Sequence, residues 1–301
     1  GGSSNTTYSG VMSGTGSLVK AGTANFTMSG ANTYSGGTTV NAGLLFGGAG
    51  SELITVFGSG TVTVNSGATL WLDRATLSNN LVLNNATLQG TNGFGEIFNG
   101  TISLTGVNEI KVGSYMTMNG VVSGTGDIVK SENGQLTLSG ANTYSGTTSV
   151  NAGRLVVAHN SALGTTAGGT TIAAGATLDL QNVAVGTEQI TLAGGTLTDV
   201  TSSLAGNIIL TADSNFGATN VGDTLTLSGV ISGSYAITKI GAGTVVLSGA
   251  NTYSGTTTIS AGTLSVSGSL NDATAVTVAS GATYDVAASD TIASLAGAGN
   301  V

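Results

Sequence analysis

A catalytic reading of this chain has little to start from. Its one histidine, His159, sits in the string VVAHNSALG. A Ser-His-Asp site needs that imidazole beside a nucleophile and a carboxylate. No nucleophile-elbow pattern lies near it, so it reads as a solvated loop residue. One His and no Cys leave no ligand set for zinc, and the lack of thiols removes disulfide and thiolate chemistry. The 14 Asp and Glu residues are scattered, with no D-x-D-x-D-G calcium loop and no Gly-rich calcium-binding nonapeptide. Glycoside hydrolysis needs two facing carboxylates. The nearest in sequence, Asp127 with Glu132 and Asp285 with Asp290, fall on expected turns. The chain is therefore expected to be no enzyme, with no catalytic residue, no metal and no cofactor.

Two sets of residues invite a binding role instead. Lys20, Lys130 and Lys239 recur at equivalent points of a repeat. One reading is a periodic basic spot for an acidic partner. The favoured one is a turn charge that discourages wrong strand pairing. The second set is Trp71 and Arg74. Aligned on the glycine, GATLWLDR at 67–74 matches GATLDLQN at 175–182, so Trp71 falls where Asp179 falls. That is the outward position between Leu70 and Leu72. A tryptophan there, next to an arginine, suits stacking on a sugar or a protein partner; cover by a neighbouring loop or coil is the structural alternative.

The elements that must hold these residues are short strands. Apolar residues come in runs such as TVTV, LVL, LTL and TVVL, broken by Gly, Asn and Ser, which is strand grammar. No run approaches the roughly 18 apolar residues of a spanning helix. Disorder fits poorly, because disordered segments are poor in β-branched residues and this chain alternates Val, Ile and Thr throughout. The absence of Pro suits strands that need every N–H. Six basic residues in 301 and a net charge of −8 exclude a phosphate-neutralising nucleic-acid surface.

The string GANTYSG occurs at 30–36, 140–146 and 249–255, and its flanks repeat with it: GVMSGTGSLVK, GVVSGTGDIVK and GVISGSYAITK before, TTVNAGLL, TSVNAGRL and TTISAGTL after. Long-period self-similarity marks a stacked repeat architecture. A shorter pattern, apolar-x-x-Gly-x-(x)-Leu, lies inside it at 40–44, 64–70, 150–155, 172–178, 259–264 and 278–284 (with Tyr284 in the last place), with Gly-to-Gly steps of 24, 22 and 19 residues. Steps of that size match one coil of three short strands. The expectation is an all-β parallel β-helix, or solenoid, of about 13–14 coils stacked at about 4.8 Å, a rod on the order of 65 Å long.

Residues 1–301 are read as a single continuous β-helix fragment with repeats 10–119, 120–228 and 229–301, the last truncated. Leu18, Ile128 and Ile237 are expected inward, as are Phe26, Leu136 and Val245 and then Met28, Leu138 and Leu247, with Thr27, Thr137 and Val246 outward. The GANTYSG strings, about five coils apart, are expected at the same corner, with Tyr34, Tyr144 and Tyr253 packing there. The opening residues 1–5 show no signal-peptide pattern, and both ends read as cut from a longer array.

The pattern G-x-G-x-L-x-L-S-G-A-N-T-Y-S-G-x-T-x-[VI]-x-A-G-x-L is fullest at 241–264, GAGTVVLSGANTYSGTTTISAGTL. It resembles the autotransporter-associated β-strand repeat, also called the passenger-associated transport repeat. The resemblance covers about a third of the chain directly, at 10–43, 120–153 and 229–262. It implies a right-handed parallel β-helix passenger, secreted or held at the bacterial surface. Outer-membrane attachment would come through a C-terminal β-barrel not present in this sequence. The leading functional expectation is a non-enzymatic stalk, adhesin or matrix segment. Its partners would be other copies of the rod, host or surface glycans, or cell-surface proteins. A secretion or folding module for an activity located elsewhere is the alternative, and a β-helical carbohydrate-active enzyme a remote third.

Overall fold

The computed structural model describes residues 4–48, 55–91, 93 and 95–301; the opening residues 1–3, read above for a signal peptide, lie outside that set. Every regular element among the described residues is a β-strand. The chain forms two compact units, Gly1–Thr148 with Ala162–Thr165, and Ser149–Ser161 with Thr166–Val301.

Each unit is a parallel β-solenoid with three faces. In the first unit one face runs from Thr6–Tyr8 through Phe26–Met28, Leu44–Gly47, Thr69–Leu72, Thr87–Gly90 and Val107–Lys111 to Asp127–Ser131. A second runs from Thr76–Leu77 to Gln135–Leu138, and a third from Leu18–Lys20 to Val122–Gly124. The second unit repeats the plan, its longest face running from Arg154–Val157 to Ser294–Gly297. The pairing register gives the coil length directly. Leu70 lies beside Leu88, 18 residues on, whereas Leu45 lies beside Leu70, 25 residues on. Corners of different length absorb that variation while the strands keep step.

Alternation decides what goes inside. Leu136, Leu138, Val245, Leu247, Met28, Ile128 and Ile237 are buried, while Thr27, Thr137 and Val246 sit half-buried on the outer side. Like residues stack in rows from coil to coil, as Leu45, Leu70, Leu88 and Ile110 do. A single coil could not cover its own apolar side; each added coil buries about 1.5–3 kcal/mol per large side chain. The glycines of the short pattern, Gly43, Gly67, Gly153, Gly175, Gly262 and Gly281, all have φ between 64° and 81°, the left-handed turn conformation that only Gly adopts at no cost. Outside, Asn84 donates to Asn65 at 3.0 Å and Asn65 to Asn41 at 2.8 Å, an amide ladder along one corner.

One expectation is corrected. The copies of the motif in the first unit do not mark the same corner. Leu18–Lys20 belongs to the third face, whereas the equivalent residues of the next copy lie in Asp127–Ser131 on the first face. The copy spacing is five coils and one further face, so successive copies turn about the axis.

Inward and outward residues of one strand should therefore differ sharply in urea unfolding. Leu247→Ala is expected to cost about 2–5 kcal/mol, and Val246→Thr, one residue away, less than about 1 kcal/mol.

Candidate functional site

The repeated motif holds the most concentrated polar chemistry of the chain, and that chemistry faces inward. Asn32, Asn142 and Asn251 are 0%, 3% and 4% exposed. Each reaches the coil before and the coil after. Asn32 Oδ1 accepts from the Met12 N–H at 2.7 Å, and its Nδ2 donates to the carbonyls of Gly30 at 3.0 Å and Val56 at 2.6 Å. Asn142 accepts from Val122 at 2.8 Å and donates to Ala162 at 2.6 Å. Asn251 accepts from Ile231 and donates to Gly249 and Ser269, all at 3.0 Å. Two residues on, and so on the same inner side, the hydroxyls of Tyr34, Tyr144 and Tyr253 meet those of Thr38, Thr148 and Thr257 at 2.5, 2.7 and 2.7 Å. The first glycine of each copy must be Gly, because a Cβ at Gly30, Gly140 or Gly249 would strike the carbonyl oxygen of Gly10, Gly120 or Gly229 on the coil before.

Lys20, Lys130 and Lys239 are neither surface spots nor turn charges. They are 7%, 0% and 1% exposed. Lys239 Nζ donates to the carbonyls of Ile240, Gly241 and Ala261 at 3.0, 2.8 and 2.9 Å. Lys20 donates to Gly22 at 2.7 Å and Ala42 at 2.8 Å, and Lys130 to Ser131 and Glu132 at 3.2 and 2.5 Å. The acceptors lie at strand ends or just past them, and one of them, the Ser131 carbonyl, also accepts from the Val112 N–H at 3.2 Å. Burial lowers the Lys20 ammonium, and pushes Lys130 and Lys239 down to about 8. The signal was present in the phase, since each Lys stands two residues after an inward Leu or Ile.

Trp71 does lie on the outward side, between the buried Leu70 and Leu72. It is half-buried, with Phe46 of the preceding coil packed edge-on at 5.2 Å and 75°. Gln89 of the following coil flanks it on the other side, and Lys111 follows Gln89 in the same row. Its indole N–H is buried without a hydrogen-bond partner. Arg74 is half-buried three residues on, in a left-handed turn with φ of 54°. The equivalent Asp179 is 1% exposed and takes hydrogen bonds from Arg154 and Gln181.

The remaining groups have local duties. His159 Nδ1 accepts from the Ser161 N–H at 3.1 Å in a turn. Asp127 accepts from Thr147, Asp285 from Ser265 and Asp290 from Leu270. Among the described residues no cluster of three or more His, Asp or Glu is arranged to hold a metal ion. What sequence reading missed is a set of interior carboxyls, Glu96, Glu188 and Asp199, 1%, 5% and 0% exposed. Glu96 and Asp199 stand in phase with inward Phe98 and Leu197, so alternation alone would have placed them inside.

With this geometry in view, the comparisons are specific. The passenger-associated-transport-repeat family matches at residues 18–45, 128–157 and 237–266. Each match runs from the strand that carries the inward Lys, past the Asn and Tyr, to the strand after the left-handed Gly. The chain is also 32% identical over 250 residues to "Adhesin BmaC autotransporter" of Brucella suis biovar 1 (strain 1330), covering 79% of this chain and 7% of that protein. No solved structure matches.

If the Asn bridge holds the coils, Asn251→Ala leaves the buried Ile231 N–H without an acceptor and takes one of two donors from each of the Gly249 and Ser269 carbonyls, and should lower unfolding stability by about 1–3 kcal/mol. Asn251→Asp, which keeps the acceptor but loses the donor, should fall between. Thr252→Ala, at the exposed neighbouring position, should change the urea midpoint little.

Proposed function

Three passenger-associated transport repeats make this an autotransporter passenger chain, displayed at the bacterial cell surface, and from that premise we propose that it acts there as a non-enzymatic stalk and adhesive scaffold. The observation that carries the reading is the direction of the polar machinery. The motif's Asn, Lys and Tyr spend their hydrogen bonds on the chain's own backbone and hydroxyls, which leaves outer rows of Thr, Ser and Asn suited to many weak contacts. The adhesin name of the similar Brucella protein is consistent with it. The partners that fit are other copies, surface glycans or surface proteins, and the Phe46–Trp71 pair with Arg74 nearby is an aromatic contact point on the outer side.

A second reading has its own support. Each motif ties three consecutive coils through one Asn side chain, so the coil that carries the motif is locked to its neighbours as the next is laid down. Progressive folding from one end is what an export-promoting repeat would need.

Deleting this chain from the full-length protein separates the two. A loss of adhesion or aggregation at equal surface amounts supports the scaffold role. A loss of surface amount with unchanged adhesion per displayed molecule supports the export role, and no change in either removes both. Trp71→Ala with Arg74→Ala should lower adhesion several-fold while leaving the unfolding temperature within about 2 °C. Unchanged adhesion would remove that contact point.

A further inference from the structure

Glu96, Glu188 and Asp199 are interior carboxyls with no cation hydrogen-bonded to them among the described residues, and each fastens a corner. Glu96 Oε1 accepts from the backbone N–H and hydroxyl of Thr91 at 3.1 and 3.2 Å, while its Oε2 lies against Gly90 and Met116 with no partner. The charged groups around it are Asp73, which receives the same Thr91 hydroxyl at 3.0 Å, and Arg74 on that turn. Glu109 and Lys111, on the next coil, lie on the outer side and pair with each other at 3.4 Å. Glu188 Oε1 meets the Thr170 hydroxyl at 3.1 Å, and neither 165–175 on the coil before nor 203–212 on the coil after carries a charged residue. Asp199 Oδ2 accepts from the Ser202 N–H at 2.7 Å and its Oδ1 has no partner. The charges that act on it most are Asp179 and Asp223, both of its own sign. Lys239 stands two coils further along the inner row of Leu197.

An ionised carboxylate in such a place is desolvated and unpaired, whereas a neutral carboxyl is tolerated. We propose that these three corners form a proton-dependent clamp: the folded solenoid carries the carboxyls protonated, so its coils are fastened best in mildly acidic surroundings and loosen at these corners as the pH rises through neutrality.

Burial pushes Glu96 and Glu188 up to about 7 and Asp199 to about 6, with Asp73 adding to the first and Asp223 and Asp179 to the last. In the unfolded chain the same groups titrate near 4. Between those values the folded state binds protons that the unfolded state has lost, so stability falls as pH rises. Acid-labile proteins, whose carboxylates are salt-bridged, show the opposite slope.

Thermal unfolding of the whole chain at pH 5 and pH 7.5 tests this, with Glu96→Gln, Glu188→Gln, Asp199→Asn and the triple variant. The wild-type midpoint should be higher at pH 5 by at least about 5 °C. Each neutral isostere should raise the pH 7.5 midpoint and leave the pH 5 midpoint nearly unchanged, and the triple variant should flatten the profile. A wild-type midpoint that rises from pH 5 to pH 7.5, or isosteres that lower both midpoints equally, would overturn the proposal. Carboxyl-carbon NMR titration of the wild-type chain gives a reading that needs no variant. Three carboxyls titrating above pH 5.5 support the clamp, and none doing so overturns it.

Discussion

The fold depends on satisfying backbone groups where the parallel ladder breaks. Along a face, each strand pairs with the coil on either side and no group is left over. At a corner the chain turns, the ladder stops, and carbonyls and N–H groups point into the interior without a strand partner. A buried unpaired group of this kind costs about 1–3 kcal/mol, and a solenoid repeats its corners on every coil. The motif answers with side chains of matched reach. Asn supplies one acceptor and two donors and spans three coils. Lys supplies three donors on a long apolar stem and gathers the carbonyls of its own turn and, at Lys20 and Lys239, of the next coil's turn.

This explains why residues that look functional are placed out of reach of any partner. A lysine two positions after an inward Leu or Ile is carried inside by the strand's alternation. It stays there because turn carbonyls take the place of water. The same geometry makes the motif's glycines obligatory, since the extended Asn-Thr-Tyr-Ser stretch lies directly on the coil before it. In the first unit, the Thr33 and Ser35 amides donate to Met12 and Gly14 at 2.8 and 3.0 Å.

Much of this was legible in the sequence. Alternation and glycine spacing set the strands, the coil length and the apolar rows, and the outward position of Trp71 followed from its two leucine neighbours. The polar interior was not read, although the phase that placed Ile237 inward also placed Lys239 inward. The obstacle was the habit of assigning charge to the surface, which fails where a backbone corner provides ligands for it. Glu96, Glu188 and Asp199 lie outside the recurring motif, so no recurrence drew attention to them. The facing of successive copies was missed for a different reason. Coil length varies with the corners, and only the observed pairing shows that the copy spacing exceeds five coils by one face.

The central claim is that side-chain bridges, and not ladder pairing alone, fasten the coils at the motif. Native-state hydrogen exchange at Met12, Val122 and Ile231 is the most direct test, because their amides donate to the Asn side chains. The account predicts that these three amides exchange only on unfolding of the coils around them, as slowly as neighbouring ladder amides such as Val62 and Ile237. Exchange at the rate of exposed turn amides would contradict it.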